Sequence, residues 1–343
     1  MEHGELTRTS RPRPAVMADV AKLAGVSHQT VSRVVNGSDL VRPETRTRVE
    51  GAMRKLQYRP NPVARALATG RSKTVGVITF DTALYGPALT LLAIERAAHE
   101  AGFFVSITSL RALDAPSLTA AAESLLGQNA EAIFIIAPQR AVASAVLQLP
   151  TNVPIVAIEA GPADGVSVVA VDQAAGAAAA TRHLLELGHE TVWHIAGPED
   201  WLEAGERVAG WKAALAEARA PIPPHLVGDW SARAGYELGA ELAEMSDVTA
   251  VFVANDAMAL GLLRRLHETG RTVPDSISVV GFDDTPEAAY LTPPLTTVRQ
   301  DFMELGRRGF ELAQRRLRGA HGVERISIAP ELIVRQSTGP VKS

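Results

Sequence analysis

The chain has 343 residues, no cysteine, 46% hydrophobic side chains and 34 Lys+Arg against 38 Asp+Glu, for a formal net charge of −4. No disulfide scaffold, thiolate chemistry or Cys-ligated zinc is available. Neither a secretory leader nor an 18-residue apolar run is visible, so a cytosolic protein of two or three domains with no membrane association is expected. The small net charge conceals a split: residues 1–73 carry 14 basic and six acidic side chains, +8, whereas the other 270 carry 20 and 32, −12. A short basic piece joined to a long acidic body points to a polyanion-binding module attached to something else.

Residues 1–15, with Arg8, Arg11 and Arg13, read as a disordered basic extension, either an arm that touches phosphate or a plain tail. From Val16 to Asn36 the sequence is VMADVAKLAGVSHQTVSRVVN. Val20, Ala21, Leu23 and Ala24 fall on one helical face, Gly25 supplies a turn, and Ser27 can cap a second helix whose Val31, Val34 and Val35 point inward. Two short helices joined by such a turn form a helix-turn-helix. A third helix follows, with Pro43 at its first position, Thr45 to Gln57 as its body and Val49, Met53 and Leu56 as its apolar stripe. The DNA-binding module is thus expected over residues 16–60. The second helix presents His28, Gln29, Ser32 and Arg33 outward, where Gln can pair with adenine and Arg with guanine in a major groove. Ser27, Thr30 and Ser32 suit capping or phosphate hydrogen bonds better than base reading.

The stretch DVAKLAGVSHQTVSRVVN, continued by TRTRVEGAMRKLQYRPNPVARAL, resembles the DNA-binding headpiece of the LacI/GalR family of bacterial repressors over nearly 60 residues. The resemblance implies that Asn36 joins the DNA-contacting set. It also implies that the segment 61–68, inside a linker 61–73, is a hinge helix ordered only on DNA, with Asn61 and Ala64 at the minor groove and Leu67 wedged between base pairs. A segment this short is marginal as an isolated helix in water, and a leucine is an apolar wedge of the kind that kinks DNA.

From Thr74 onward, TVGVITF, FFVSITS, AIFIIA, VPIVAIE, VSVVAVD, TVWHIAG, TAVFVAND and ISVVGFDD read as buried strands separated by Ala- and Leu-rich helices. Strand–helix alternation means parallel sheets, and eight strands fit two sheets better than one. The expected fold is therefore a small all-α headpiece plus an α/β core, residues 74–343, of two doubly wound parallel-sheet lobes. A ligand would sit at the carboxyl ends of the strands, between the lobes.

The body carries the same family resemblance in HLLELGHETVWHIAGP, RVAGW, GDWSARAGY, AVFVANDAMALG and ISVVGFDDTPEAAYLTPPLTTVRQDF. It implies a periplasmic-binding-protein-like core, with an N-lobe of residues 74–171 plus 302–329 and a C-lobe of 172–300 plus 330–343. A sugar needs planar polar groups for its hydroxyls and an aromatic plate for its C–H face. Arg207, Asn255 and Asp283 supply the former, Trp230 and Phe302 the latter, and all five match sugar-contacting positions of the family, with Gln300 as a further polar position. Asp256 is expected to cap the helix after Asn255, Asp283 and not Asp284 to face ligand, and Trp193 and Trp211 to be core. The N-lobe half departs from the family's galactoside-binding pattern: Glu159 replaces an aspartate, Ala137 an asparagine and Phe80 a serine, while Arg111 matches an arginine only loosely.

An enzyme is disfavoured. There is no HExxH, GxSxG or GxxxxGK[ST] motif, GPEDW and IAGP are not phosphate loops, and the adjacent Asp283 and Asp284 should diverge. The family implies a repressor of carbohydrate-utilisation genes, working without a cofactor or metal, that binds a pseudopalindromic double-stranded operator. A small sugar or glycoside, with a galactoside among the candidates, would release it. A co-repressor reading, with a purine or phosphoprotein effector, stays open, as does a sugar-binding protein that does not act on DNA. With no leucine heptad after the strand-like ELIVRQS, a homodimer is expected.

Overall fold

The computed structural model describes residues 13, 15–59, 70–80, 83–110, 112–136, 139–146, 149, 152–159 and 165–341. Asn61, Ala64 and Leu67 of the expected hinge helix, together with Arg111 and Ala137, lie outside them. The chain separates into two compact units, residues 1–72 and 73–343.

The described residues of the first unit form three helices, α1 (Met17–Ala24), α2 (His28–Val35) and α3 (Pro43–Lys55). Gly25 ends α1 in the left-handed region at φ 63°, a conformation that glycine adopts without a side-chain penalty. Ser27 then caps α2, its Oγ accepting the Thr30 N–H at 3.2 Å. Val20, Ala21, Ala24, Val31, Val34, Val49 and Ala52 close a small core, with Val35, Met53 and Leu56 packed at its edge. Leu23 is half exposed instead of inward. At about 100° per residue it lies roughly 100° round α1 from the centre of the Val20, Ala21 and Ala24 stripe, too far to share it.

The second unit holds two six-stranded sheets. The first, in spatial order β11-β5-β4-β3-β1-β2, comprises β1 (Thr74–Thr79), β2 (Phe104–Ser109), β3 (Ala132–Ile136), β4 (Ile155–Ile158), β5 (Ser167–Val171) and β11 (Arg325–Ile328), all parallel. The second, β12-β10-β9-β8-β6-β7, comprises β6 (Trp193–Ala196), β7 (Leu226–Val227), β8 (Ala250–Val253), β9 (Ser278–Asp283), β10 (Thr296–Arg299) and β12 (Glu331–Ile333). Its strands are parallel except β12, which runs antiparallel to β10. All eight strands expected from the β-branched runs are present. β12 falls in the strand-like ELIVRQS, and three strands were not expected, β7, β10 and β11: they are short, and β7 and β11 are sheet edges with exposed residues that break the apolar run.

Helices cover both faces of each sheet: α4 (Tyr85–Glu100), α5 (Ala115–Gly127), α6 (Arg140–Val146) and α11 (Phe302–Leu317) around the first, α7 (Gln173–Glu186), α8 (Leu202–Glu217), α9 (Ala232–Glu244) and α10 (Asp256–Glu268) around the second. The period of two along β3 shows why the strands are apolar throughout. Ile133 and Ile135 enter the core on one face, Ala132, Phe134 and Ile136 the core on the other. The chain crosses between lobes three times, after β5, after β10 and between β11 and β12.

In the second lobe the helix pairs α7–α8 and α9–α10 touch backbone to backbone. A methyl at Gly210 would meet the Ala174 carbonyl, one at Gly235 the Met258 carbonyl, and one at Gly261 the Ala232 carbonyl. Because the obstacle is main chain, it cannot rotate away. Gly261→Ala should therefore cost about 1–3 kcal/mol through overpacking, lowering the urea midpoint read by tryptophan fluorescence. All four tryptophans lie beyond residue 190. Gly51→Ala, in α3 with open space around the added carbon, should leave that transition where it was.

Candidate functional site

In the first unit, α2 buries Val31 and Val34 and so turns His28, Gln29 and Arg33 to solvent. Thr30 is half-buried and its hydroxyl pairs with Ser27 Oγ at 2.9 Å, which ties both residues to the helix start. Ser32 and Asn36 lie a turn apart, with Asn36 Nδ2 3.4 Å from Ser32 Oγ. The exposed side chains at the helix N-terminus are thus a histidine, a glutamine and, one turn on, an arginine. These groups can donate to and accept from base edges.

In the second unit, a cavity of about 230 Å³ opens between the lobes. It is reached from the carboxyl ends of strands: Glu159 follows β4, Asn255 follows β8, Asp283 ends β9 and Gln300 follows β10. Arg207 comes from α8, Trp230 from the loop before α9, and Phe302 opens α11. Seven of the eight residues expected around an effector therefore line one cavity. Phe80 is the exception. It packs against the N-lobe cluster around Ile78 and Leu118 and is absent from the cavity wall, because the half-buried aromatic ring finds apolar neighbours there.

Arg207 is 3% exposed. Its Nε donates to Gln173 Oε1 at 2.9 Å and its Nη1 to the Ala254 carbonyl, while the guanidinium lies 3.9 Å from the Phe282 ring centroid and 5.4 Å from that of Trp230. Gln173 Nε2 in turn donates to Gln300 Oε1 at 2.8 Å and is 3.3 Å from Glu159 Oε2, and Gln300 Nε2 donates to Asp283 Oδ1 at 2.6 Å. The other Glu159 oxygen accepts the Val171 N–H at 3.0 Å. One continuous network thus joins a carboxylate of the N-lobe to an arginine and a carboxylate of the C-lobe through glutamines on two crossovers.

Burial dominates the electrostatics. It pushes Glu159 well above the usual carboxylate range, assisted by the charge of Glu203 and opposed by its hydrogen bonds and Arg207. Burial also raises Asp283 to about 7 against the pull of Arg207, and Glu203 to about 7 against the same residue.

Asn255 lines the cavity as expected, but it and not Asp256 also caps the following helix. Asn255 is the cap of α10, its Oδ1 accepting the Met258 N–H at 2.9 Å while Nδ2 holds the Trp230 carbonyl at 3.0 Å. Asp256 instead accepts from Thr297 Oγ1 at 2.6 Å and the Thr285 N–H at 2.8 Å. A cap needs extended backbone, which Asn255 has at φ −151°, whereas Asp256 is already in the helix. Asp284 points away from Asp283, to Arg299 at 2.7 Å and Arg335 at 2.5 Å. Trp211 is fully buried with its N–H on the Val192 carbonyl, and Trp193 packs on the C-lobe core.

Sequence reasoning missed Trp201, Tyr85, Leu84 and Glu203, which also line the cavity. Trp201 stands edge-on to Trp230 with centroids 5.6 Å apart, and Tyr85 edge-on to Phe302 at 5.9 Å. Trp201 and Glu203 follow the carboxyl end of β6 and open α8, so their position after a strand was a usable signal.

Comparison with known proteins agrees with this anatomy. Residues 16–61 match the model for bacterial regulatory proteins of the lacI family, and residues 181–338 that for a periplasmic binding protein-like domain. The lactose operon repressor of Escherichia coli (strain K12) is 38% identical over 298 residues, 86% of this chain and 82% of that protein. A crystal structure of the lac repressor dimer bound to operator and the anti-inducer ONPF superposes with a TM-score of 0.87 at 35% identity, covering 95% of this chain and all of the other. A complex of the transcriptional regulator CelR with cellobiose gives 0.71 at 32%, covering 94% and 99%. These relatives are transcriptional regulators, and among the described residues no helix is long and apolar enough to cross a membrane. With identity of this level running through both units, the chain belongs to the lacI family of bacterial regulatory proteins.

Proposed function

We propose that the protein is a cytoplasmic, non-enzymatic homodimeric repressor of carbohydrate-utilisation genes, released from a pseudopalindromic operator by a small carbohydrate held in the cavity. The observation that carries this reading is the cavity wall itself. Both lobes contribute to it, aromatic rings of Trp230 and Phe302 flank it, and Arg207, Asn255, Asp283 and Gln300 present planar polar groups between them. Such a wall complements a ring with apolar faces and hydroxylated edges. The charge of the wall argues against phosphorylated effectors, since Glu159, Glu203 and Asp283 face a single arginine. Among the described residues no group of three or more His, Cys, Asp or Glu is arranged to hold a metal ion.

The glutamine network ties ligand binding to the arrangement of the two lobes. A ligand that engages Arg207 or Asp283 competes for hydrogen bonds that now join the lobes, and so biases how the lobes are arranged. Coupling between two sites in one protein is typically about 1–3 kcal/mol and is reciprocal. On the DNA side, His28, Gln29 and Arg33 would read bases while Ser27, Thr30, Ser32 and Asn36 position the helix. Asn61, Ala64 and Leu67 would act at the operator centre.

Two measurements test these assignments. In operator-release assays with a glycoside panel, Arg207→Ala should hold operator DNA with near wild-type affinity yet lose its response to every sugar that releases the wild type. Retained release in the folded variant would overturn the cavity assignment. In a binding-site selection, Arg33→Ala should relax preference at one base position per half-site by about 1–3 kcal/mol. A loss spread evenly over all sequences would make Arg33 a phosphate contact.

A further inference from the structure

The carboxylates of the cavity outnumber its cation, and one of them has almost no partner. Glu203 lies in the wall with its side chain 16% exposed, and its nearest ion-pair contact is Arg207 Nη2 at 3.9 Å, the far limit of such a pair. Arg207 cannot close on it, because Nε and Nη1 are committed to Gln173 and to the Ala254 carbonyl and the guanidinium plane is stacked on Phe282. Asp283 is in a similar position. Gln300 satisfies Oδ1, and the other oxygen receives no hydrogen bond from the described residues. Glu159, by contrast, is held at both oxygens by Val171 and Gln173.

Closing a neutral ligand over this wall would bury Glu203 and Asp283 further from water without supplying a countercharge. That is costly for any carboxylate left ionised. Burial already raises both acids to about 7, and the pull of Arg207 offsets it only in part. A second observation points to a hydroxylated ligand. Trp230, 6% exposed and in the cavity wall, has an indole N–H with no acceptor among the described residues. A buried Trp N–H normally finds one, and a ligand hydroxyl oxygen would serve.

We propose that the effector is a cationic polyol, an amino sugar or a piperidine polyol, whose ammonium is received by Glu203 and Asp283 while its ring lies against Trp230 and Phe302. This rests on the carbohydrate reading of the cavity and narrows it. Each N–H of the ammonium would donate to a carboxylate oxygen that is now unengaged. Charge-assisted bonds of that kind, shielded from water, are stronger than those a neutral hydroxyl makes.

The test uses the full-length protein and calorimetric titration at pH 7.5. The probes are D-glucosamine, D-galactosamine and 1-deoxynojirimycin, set against D-glucose, D-galactose and N-acetyl-D-glucosamine, with operator release measured for each. At least one cationic probe should bind ten-fold or more tightly than its neutral counterpart. Glu203→Gln should bring that ratio within about two-fold, Glu203→Asp should retain most of it, and Glu206→Gln, on α8 but outside the cavity wall, should not change it. Neutral sugars that bind as tightly as the cationic ones, or a ratio indifferent to Glu203→Gln in a folded variant, would overturn the inference and leave the carbohydrate reading standing. Failure of every polyol, charged or neutral, to bind or to release operator would overturn both.

Discussion

The guanidinium of Arg207 is the only cation among the described residues that line the cavity, and the order of the wall follows from how its donors are divided. A buried guanidinium needs several acceptors at once, since each unsatisfied N–H costs free energy. Here they come from a glutamine, a main-chain carbonyl and an aromatic face. No carboxylate makes a close, bidentate pair with it. The arginine is therefore spent on positioning Gln173, and the acids around it keep a demand for protons or for ligand. A tight Arg207–Asp283 pair would have satisfied that acid and left one carboxylate fewer for a ligand to engage.

Gln173 and Gln300 convert this local arrangement into one that spans the lobes. Each sits at a crossover of the chain, and their direct hydrogen bond of 2.8 Å links two of the three strands of the hinge. A rotation of one lobe on the other must stretch or exchange these bonds. Each is worth about 0.5–1.5 kcal/mol net, which is comparable with the coupling energies that regulators of this kind use. A ligand of modest size can thus shift the arrangement without supplying much more energy than a few hydrogen bonds.

Much of this was legible in the sequence, for identifiable reasons. The buried strands announce themselves because parallel sheets covered on both faces need continuous β-branched runs, as in AIFII of β3. The polar residues ending those strands could be placed for the same reason: the carboxyl end of a strand in an open sheet faces the crevice. Phe80 failed that rule because, next to β1, the ring was drawn to apolar neighbours of the lobe core. Asn255 and Asp256 are chemically interchangeable as caps, and only the backbone angle decides between them. Glu203 was passed over although it follows a strand, since a glutamate in the first turn of a helix is ordinary on dipole grounds. Its role depends on how α8 is aimed.

The backbone at the cavity departs from that economy. Glu159, Trp230 and Asp283 adopt φ of 55°, 72° and 115°, a region where glycine is the usual occupant. Non-glycine residues there cost about 1–3 kcal/mol each. Elsewhere such geometry falls to glycine, as at Gly25 and Gly188, or to residues just past helix ends, as at Gln57, Asn129 and Arg219. Glycine at 159, 230 and 283 would relieve the strain but would remove two carboxylates and an aromatic plate from one cavity. That three adjoining wall residues carry the cost together is hard to explain by turn geometry. It is expected if the side chains they present, and the direction in which the strained backbone aims them, are what the cavity requires.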